Sequence, residues 1–440
     1  MKEYPYWWDS LGTAPAESRT QNPEPHPEPR TKNPEPLEGR RVDVAIVGAG
    51  YTGLSAALEV ACRGASVMVI EQERAGWGAS SRNAGQVLTG LKLDPATLVA
   101  RFGETRARAL FDASIESIEA LERLISSQGI DCDYTRTGHV QAASKPSHFQ
   151  AFQQEQTLLG KVFDHSVRLV KAEEQHSEIG SNAYFGLMVD ERSGAINPAR
   201  FVQGLATAAC RAGAAVTERT KVLGLARTGS RWTLTTSAGC VGATDVLLAT
   251  TAYTDQAAPA LQRRLVPIGS YVIATEPLSA PGASTLIPKG RMVFDSKHFL
   301  HFFRVTRDRR LLFGGRAEFG RPTPQTTARC AAILRREMAA IFPALTWARI
   351  DYAWSGNVDF SRDQLPHAGR LDGAYYVGGY CGHGIAMAIS LGAVIGRRMA
   401  GDAIEHPLFD DRFPAIPFYR GTPWFLPLVG AYYRLRDWLE

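Results

Sequence analysis

Apolar and polar positions along this chain follow two periods in turn, and the switches between them mark its elements. The run Val42-Asp-Val-Ala-Ile-Val47 is apolar and rich in β-branched residues, which predicts a buried parallel strand. Small apolar residues after it predict a helix to about Arg63-Gly64, with Gly64 as C-terminal cap. Ala65–Glu71 predicts a second strand. Helical spacing returns over 96–128, through Leu98, Phe102, Leu110, Ile115, Ile118 and Leu121, and again over about 145–161. Asp133–Ala143 is strand-like between them. Pro198 opens a further helix with Asn197 as its cap, Gly213 closes it, and Ala214–Val222 follows as a strand. After a β-rich stretch to Cys240 comes the strand at 243–253. Apolar runs at 265–277, 292–295, 300–305 and 311–315, separated by turn residues, predict an antiparallel sheet, with a helix over 328–342.

The first strand ends in Gly48-Ala-Gly50-Tyr51-Thr52-Gly53. Gly48 permits the tight turn, Gly50 lets the backbone approach a pyrophosphate, and Gly53 lets the helix pack on the strand. Phosphate charge then meets the free N–H groups of the helix start, where Tyr51 and Thr52 lie. Glu71 ends strand two, about 20 residues on, where such folds hydrogen-bond an adenosine ribose; a carboxylate there disfavours a 2′-phosphate. A glycine-rich turn in an ordinary βαβ unit is the alternative. Directly after Glu71 comes Gly76-Trp-Gly78-Ala79-Ser80-Ser-Arg-Asn83-Ala84-Gly85-Gln86, a composition suited to backbone passing close against a ligand. A second strand–glycine–helix unit, Tyr375-Tyr-Val-Gly378-Gly379-Tyr380-Cys381-Gly382-His383-Gly384-Ile385, stands far downstream. Its helix start suits negative charge on a bound ring, and it also fits a second phosphate turn or a mere packing turn.

Composition narrows the field without naming a chemistry. The chain has 440 residues, 45% hydrophobic and 21% charged, with 49 basic against 44 acidic side chains and a net charge of +5. That balance, with no dense Lys/Arg run, gives no expectation of nucleic-acid binding. Six scattered cysteines with no Cys-x-x-Cys pair fit reduced thiols, no metal site and a cytoplasmic location. No segment reaches the roughly 18 apolar residues of a membrane span, and the polar, aromatic start lacks a signal-peptide core. Residues 14–37 read as a Pro-rich extended linker, and Tyr4–Trp8 before it as a small apolar patch that docks.

A GxGxxG near the N-terminus, a Glu ending strand two, and then Gly-Ala-Ser-x-Arg-Asn-Ala-Gly-Gln make the chain resemble the D-amino-acid-oxidase-type FAD-dependent oxidoreductases, nearest the gamma-glutamylputrescine oxidoreductase-like branch. The resemblance implies an α/β fold: a Rossmann-like FAD-binding domain with a second, antiparallel-sheet substrate domain, the glutathione-reductase-like FAD fold. It implies segments 41–95, 190–260 and 351–410 for the FAD domain and 96–189 with 261–350 for the substrate domain, flanked by an arm and linker (1–40) and an aromatic tail (411–440). It implies that Gly78, Ala79, Ser80, Asn83, Ala84 and Gly85 line the flavin diphosphate and ring, with Gln86 near the isoalloxazine. Val222 is placed against the adenine, though a core valine reads equally well. Thr250 belongs to a strand end that is Ala-Thr-Gly in the family, with Thr251 here in the glycine's place. Gly379, Gly382, His383, Gly384 and Ile385 would meet the flavin pyrimidine.

Relatives acting on glycine have Gly-Leu-Arg-Pro where this chain has Gly356-Asn-Val358-Asp359, so the arginine that would fork onto an α-carboxylate is missing. The departure points to an amine substrate, with Trp354 and Arg304 as substrate candidates; an exposed strand-end arginine is the commoner reading of Arg304. Arg362 substitutes only if the loop differs. The positions of known flavin tethers carry Arg82 and Asn83, so FAD is expected to be non-covalent. The implied reaction is hydride transfer from the carbon beside nitrogen to flavin N5, followed by imine hydrolysis, with no base assignable. Oxygen is the first choice of acceptor and a quinone or electron-transfer partner the second, because the Leu311–Gly315 strand lacks a lysine some relatives use with oxygen. A D-amino-acid or glycine-type dehydrogenase and a non-catalytic flavin-binding subunit are the other readings. The tail reads as packing on its own fold or on a second subunit, or as touching a membrane surface.

Overall fold

Val44, Ala45 and Ile46 are almost inaccessible because the strand that carries them, Arg40–Val47, lies inside an eight-stranded sheet. The computed structural model describes residues 1–11, 36–315, 320, 322–409 and 412–439, so nearly all of the expected 14–37 linker lies outside the described residues. In the first sheet Arg40–Val47 pairs in parallel with Gly239–Leu248 on one side and Val67–Ile70 on the other. Ala215–Thr217 and Ala374–Gly378 extend it in parallel, His367–Leu371 is an antiparallel edge, and the hairpin Val222–Thr228 and Arg231–Thr236 pairs onto Gly239–Leu248. Helices Tyr51–Cys62, Pro198–Arg211 and Gly384–Met399 share one apolar core with these strands. As the sequence predicts, Asn197 caps its helix, accepting the Arg200 N–H, and Pro198 takes the first position. The strand expected over 214–222 is two strands. Between them Arg219 adopts φ +54°, and the N–H groups of Arg219 and Thr220 donate to the carbonyls of Glu73 and Glu71.

The second sheet runs in the order Ile350–Phe360, Val266–Thr275, Leu311–Gly315, His301–Val305, Met292–Asp295, His139–Ala142, Gly186–Asp190 and Arg168–Lys171. Chain from two separated insertions thus builds one sheet. Their junction, Met292–Asp295 beside His139–Ala142, is parallel in an otherwise antiparallel array. The expected domain border at 351 falls inside Ile350–Phe360, which pairs with Val266–Thr275 in this second sheet. The long helix Pro95–Gln128 is capped by Asp94 and kinked at Gly103 (φ +74°); its Leu98, Leu110, Phe111 and Leu121 pack into the core of the first sheet.

The first residues fold back as predicted for a docking patch. Tyr6 and Trp7 are buried in a cluster with Val272, Leu312, Tyr352 and Trp354, and Lys2 bridges to Tyr352. Among the described residues no helix is long and apolar enough to cross a membrane.

Candidate active site

A cavity of about 960 Å3 is lined from both sheets. One wall comes from the first sheet's glycine turns: Gly50, Tyr51 and Thr52, then Ala79 and Ser80, then Gly382, His383, Gly384 and Ile385. The opposite wall is a face of the second sheet that includes His139, Gln141, Met188, Phe294 and Val358. Asn83, Ala84 and Gln86 also line it, and the Gln86 amide points at the carbonyls of Val293 and Phe303 (3.3 and 3.4 Å).

Gly48 and Gly53 stand behind the lining and allow it to exist. A Cβ on Gly53 would lie 2.0 Å from the Gly48 carbonyl oxygen, and one on Gly48 (φ +105°) 2.9 Å from that of Ala249 and 3.4 Å from the Thr250 nitrogen. Turn and helix therefore close on each other as only glycine permits. Glu71 braces the same turn: its carboxylate accepts the N–H groups of Ala49 (2.8 Å) and Glu73 (2.9 Å), and its pKa is raised by burial against the pull of those bonds. Thr251, in place of the family's glycine, keeps a left-handed backbone (φ +45°) beside it. Val222 begins its strand in the apolar cluster of the first sheet, two residues beyond the Thr220 N–H that donates to the Glu71 carbonyl.

Segment Gly78–Gly85 is pinned from behind by three side chains. The indole N–H of Trp354 donates to the Arg82 carbonyl (2.9 Å) and that of Trp7 to the Asn83 carbonyl (2.8 Å); the Arg304 guanidinium donates to the carbonyls of Gly85 (2.8 Å) and Ile196 (3.0 Å). The expectation of an exposed Arg304 is corrected: it is buried, its guanidinium lies 5.4 Å from the Trp7 ring, and burial pushes its pKa down to about 10. The structure places Trp354 and Arg304, the two substrate candidates, behind the lining and away from it.

Asp359 explains the altered arginine-proline position. Its buried carboxylate accepts the N–H groups of Gly379 (2.5 Å) and Tyr380 (3.4 Å), fixing the turn before His383; burial raises its pKa to about 6. Val358 lies on the lining, and the exposed Arg362 reaches its rim. The tail contributes Phe425, Leu426, Val429 and Tyr433 to the wall, with Tyr433 5.1 Å from the His298 ring. Sequence reading also missed the polar group of Thr89, His139, His165, Asp190 and Ser193, which only strand pairing brings together.

Two features test whether FAD fits. Neither the Tyr51–Cys62 helix nor the Gly384–Met399 helix is capped by its N-cap residue's side chain; Ser80 Oγ accepts the Tyr51 N–H (3.0 Å), and the other first-turn N–H groups of both helices remain for acceptor oxygens. Beside the second, His383 Nδ1 and Asn357 Oδ1 are buried without a partner, and burial, then Lys92 and His139, push the His383 pKa down to about 3. An anionic diphosphate at one helix start and a ring with polar edges at the other match this set.

Residues 43–398 match the FAD dependent oxidoreductase family. The chain belongs to that family. Among its relatives, gamma-glutamylputrescine oxidoreductase of Escherichia coli is 34% identical over 400 residues, 90% of this chain and 92% of that one. A probable oxidoreductase of Haemophilus influenzae is 32% identical over 84% of this chain and 85% of its own. Glycine oxidase from Geobacillus kaustophilus superposes with a TM-score of 0.75 at 21% identity, covering 86% of this chain and all of that one (100%). The protein is thus an FAD-dependent oxidoreductase of α/β fold, as the family resemblance implied.

Proposed function

We propose that this FAD-dependent oxidoreductase acts on an amine. The observation that carries the reading is the fate of the arginine-proline position: Val358 gives the cavity an apolar surface, and Asp359 turns its carboxylate away onto Gly379 and Tyr380. At Val358 an α-carboxylate meets no arginine, and the neighbouring Arg82 commits its guanidinium to the carbonyls of Trp77 and Ser355, whereas an amine with an extended chain fits a roomy, partly apolar cavity. The 34% identity to the Escherichia coli gamma-glutamylputrescine oxidoreductase supports the same choice.

Gly48–Gly53 and Glu71 would hold the diphosphate and ribose, with Val222 and Thr250 alongside the adenosine half. Ala79–Gly85 and Gln86 would follow the cofactor to its ring, and Gly379–Ile385 would meet the pyrimidine. FAD, when bound, supplies acceptance of a hydride from the carbon beside the amine nitrogen. The chain's own residues orient that carbon, exclude water and present the N–H groups at the start of Gly384–Met399 to developing negative charge. Released imine hydrolyses to aldehyde and ammonia or a smaller amine, and oxygen is the proposed final acceptor. Non-covalent FAD and a cytoplasmic location belong to the same proposal.

A second reading, an amino-acid dehydrogenase using another acceptor, rests on Arg362 at the cavity rim. Anaerobic addition of substrates to the FAD-loaded protein separates the two. Bleaching of the flavin by amines supports the first; bleaching by α-amino acids alone supports the second and overturns the first.

A further inference from the structure

His139 opens the strand His139–Ala142 on the cavity wall that faces the glycine turns. Its ring stacks on Phe294 (5.2 Å between centroids, 24° between planes), and its Nδ1 lies 2.7 Å from Ser193 Oγ. Ser193 is fully buried, and its Oγ has two partners, the Thr89 N–H at 3.2 Å and His139 Nδ1. The first is a donor, so the hydroxyl hydrogen has only Nδ1 to go to. Nδ1 is then the acceptor, and the proton of the neutral ring sits on Nε2.

Nothing in the cluster takes that Nε2–H. Asp190, opposite His139 in the neighbouring strand, is already engaged: one oxygen accepts from Thr89 Oγ1 (2.6 Å) and meets His165 Nε2 (2.7 Å), and the other accepts the Arg192 N–H (2.8 Å). No described residue bonds His139 Nε2, and His139 is part of the cavity lining. Burial, His165 and Arg291 lower the pKa of His139 against the opposing charge of Asp190, so the ring is neutral at neutral pH. Neutral in this tautomer, it is a donor and cannot take a proton from an ammonium group. Lys92, on the same lining, adds positive charge that is felt at His383 and Cys381. Both features favour an oxygen acceptor on the ligand.

We propose that His139 donates its Nε2–H to a carbonyl or carboxylate oxygen of the substrate, so that the enzyme selects amines bearing such an oxygen over plain alkylamines. This rests on the amine reading above and adds a substrate class to it. Ser193 is the positioning residue that sets the tautomer, and Phe294 fixes the plane of the ring.

The test uses the FAD-loaded protein and three probes: 4-acetamidobutylamine, 5-aminopentanoate and hexylamine. Anaerobic perturbation of the flavin spectrum gives a Kd for each, and bleaching rates give turnover. The wild type should bind at least one oxygen-bearing probe about tenfold more tightly than hexylamine, the value of one good hydrogen bond. His139→Phe keeps the stack on Phe294 and loses the N–H, so the preference should vanish while the hexylamine Kd stays within about twofold. His139→Gln, which keeps a donor, should retain part of it and covers the case in which the Phe variant does not fold. The amide and carboxylate probes separate the two oxygen sources. Preference retained in His139→Phe, or no preference in a wild type that amines do bleach, overturns the assignment and leaves the amine reading standing. If no amine bleaches the wild type, the amine reading itself falls and takes this one with it.

Discussion

Gly53 is the least replaceable residue of the cofactor turn, because its would-be Cβ overlaps backbone, which cannot swing aside. Gly53→Ala should cost about 1–3 kcal/mol or more through overpacking, seen as a lower urea midpoint and a purified protein that has lost its flavin absorbance. His301 carries a different residue-scale prediction. Burial opposes its charge, but hydrogen bonds to Asp295 (2.8 Å) and Glu337 (2.9 Å) outweigh it and raise the pKa to about 9. With a raised folded-state pKa, the contribution is complete below the ordinary 6.5 and lost as pH climbs through about 9. Thermal stability should therefore fall across that window by on the order of 3 kcal/mol, and His301→Phe should flatten the fall. The glycines were legible from sequence because their constraints are local. Arg304 was not: its burial depends on Trp7, Gly85 and Ile196, which are remote in sequence.

At the scale of elements, the pinned segment Gly78–Gly85 decides how well the cavity holds a ligand. Trp354→Phe keeps the ring's bulk and leaves the Arg82 carbonyl without its donor, a loss of about 1–3 kcal/mol. FAD affinity should drop about tenfold, with Trp7→Phe acting in the same direction, as measured by titrating apoprotein with FAD. An unchanged Kd in both variants would show that the indoles serve only as packing. The helix Pro198–Arg211 reads well because its cap Asn197 announces it, and Pro95–Gln128 because its apolar residues recur at helical spacing. Strand partnership does not: the segment around Trp354 carries no strand prediction of its own, and only pairing with Val266–Thr275 makes Ile350–Phe360 a strand of the second sheet.

Across the whole molecule, a cavity is assembled from a turn near residue 50, a turn near 383, strands of both insertions and the tail. No local signal records such convergence, which is why the Thr89–His139–Asp190–Ser193 group and the tail's share of the wall emerge only in the fold. Removing the chain from Arg412 onward strips Phe425, Leu426 and Val429 from the wall. Bound flavin in that truncated protein should be quenched by iodide roughly twice as efficiently, since a closed site excludes solvent ions. Equal quenching would mean that the tail covers nothing the flavin uses. The amine assignment gathers these features into one activity, and one measurement addresses it directly: the anaerobic visible spectrum of the FAD-loaded protein during titration with oxygen-bearing amines and with α-amino acids. Loss of flavin absorbance with the amines, at lower concentrations than with any α-amino acid, is the predicted result. Bleaching by α-amino acids with none by amines would contradict it.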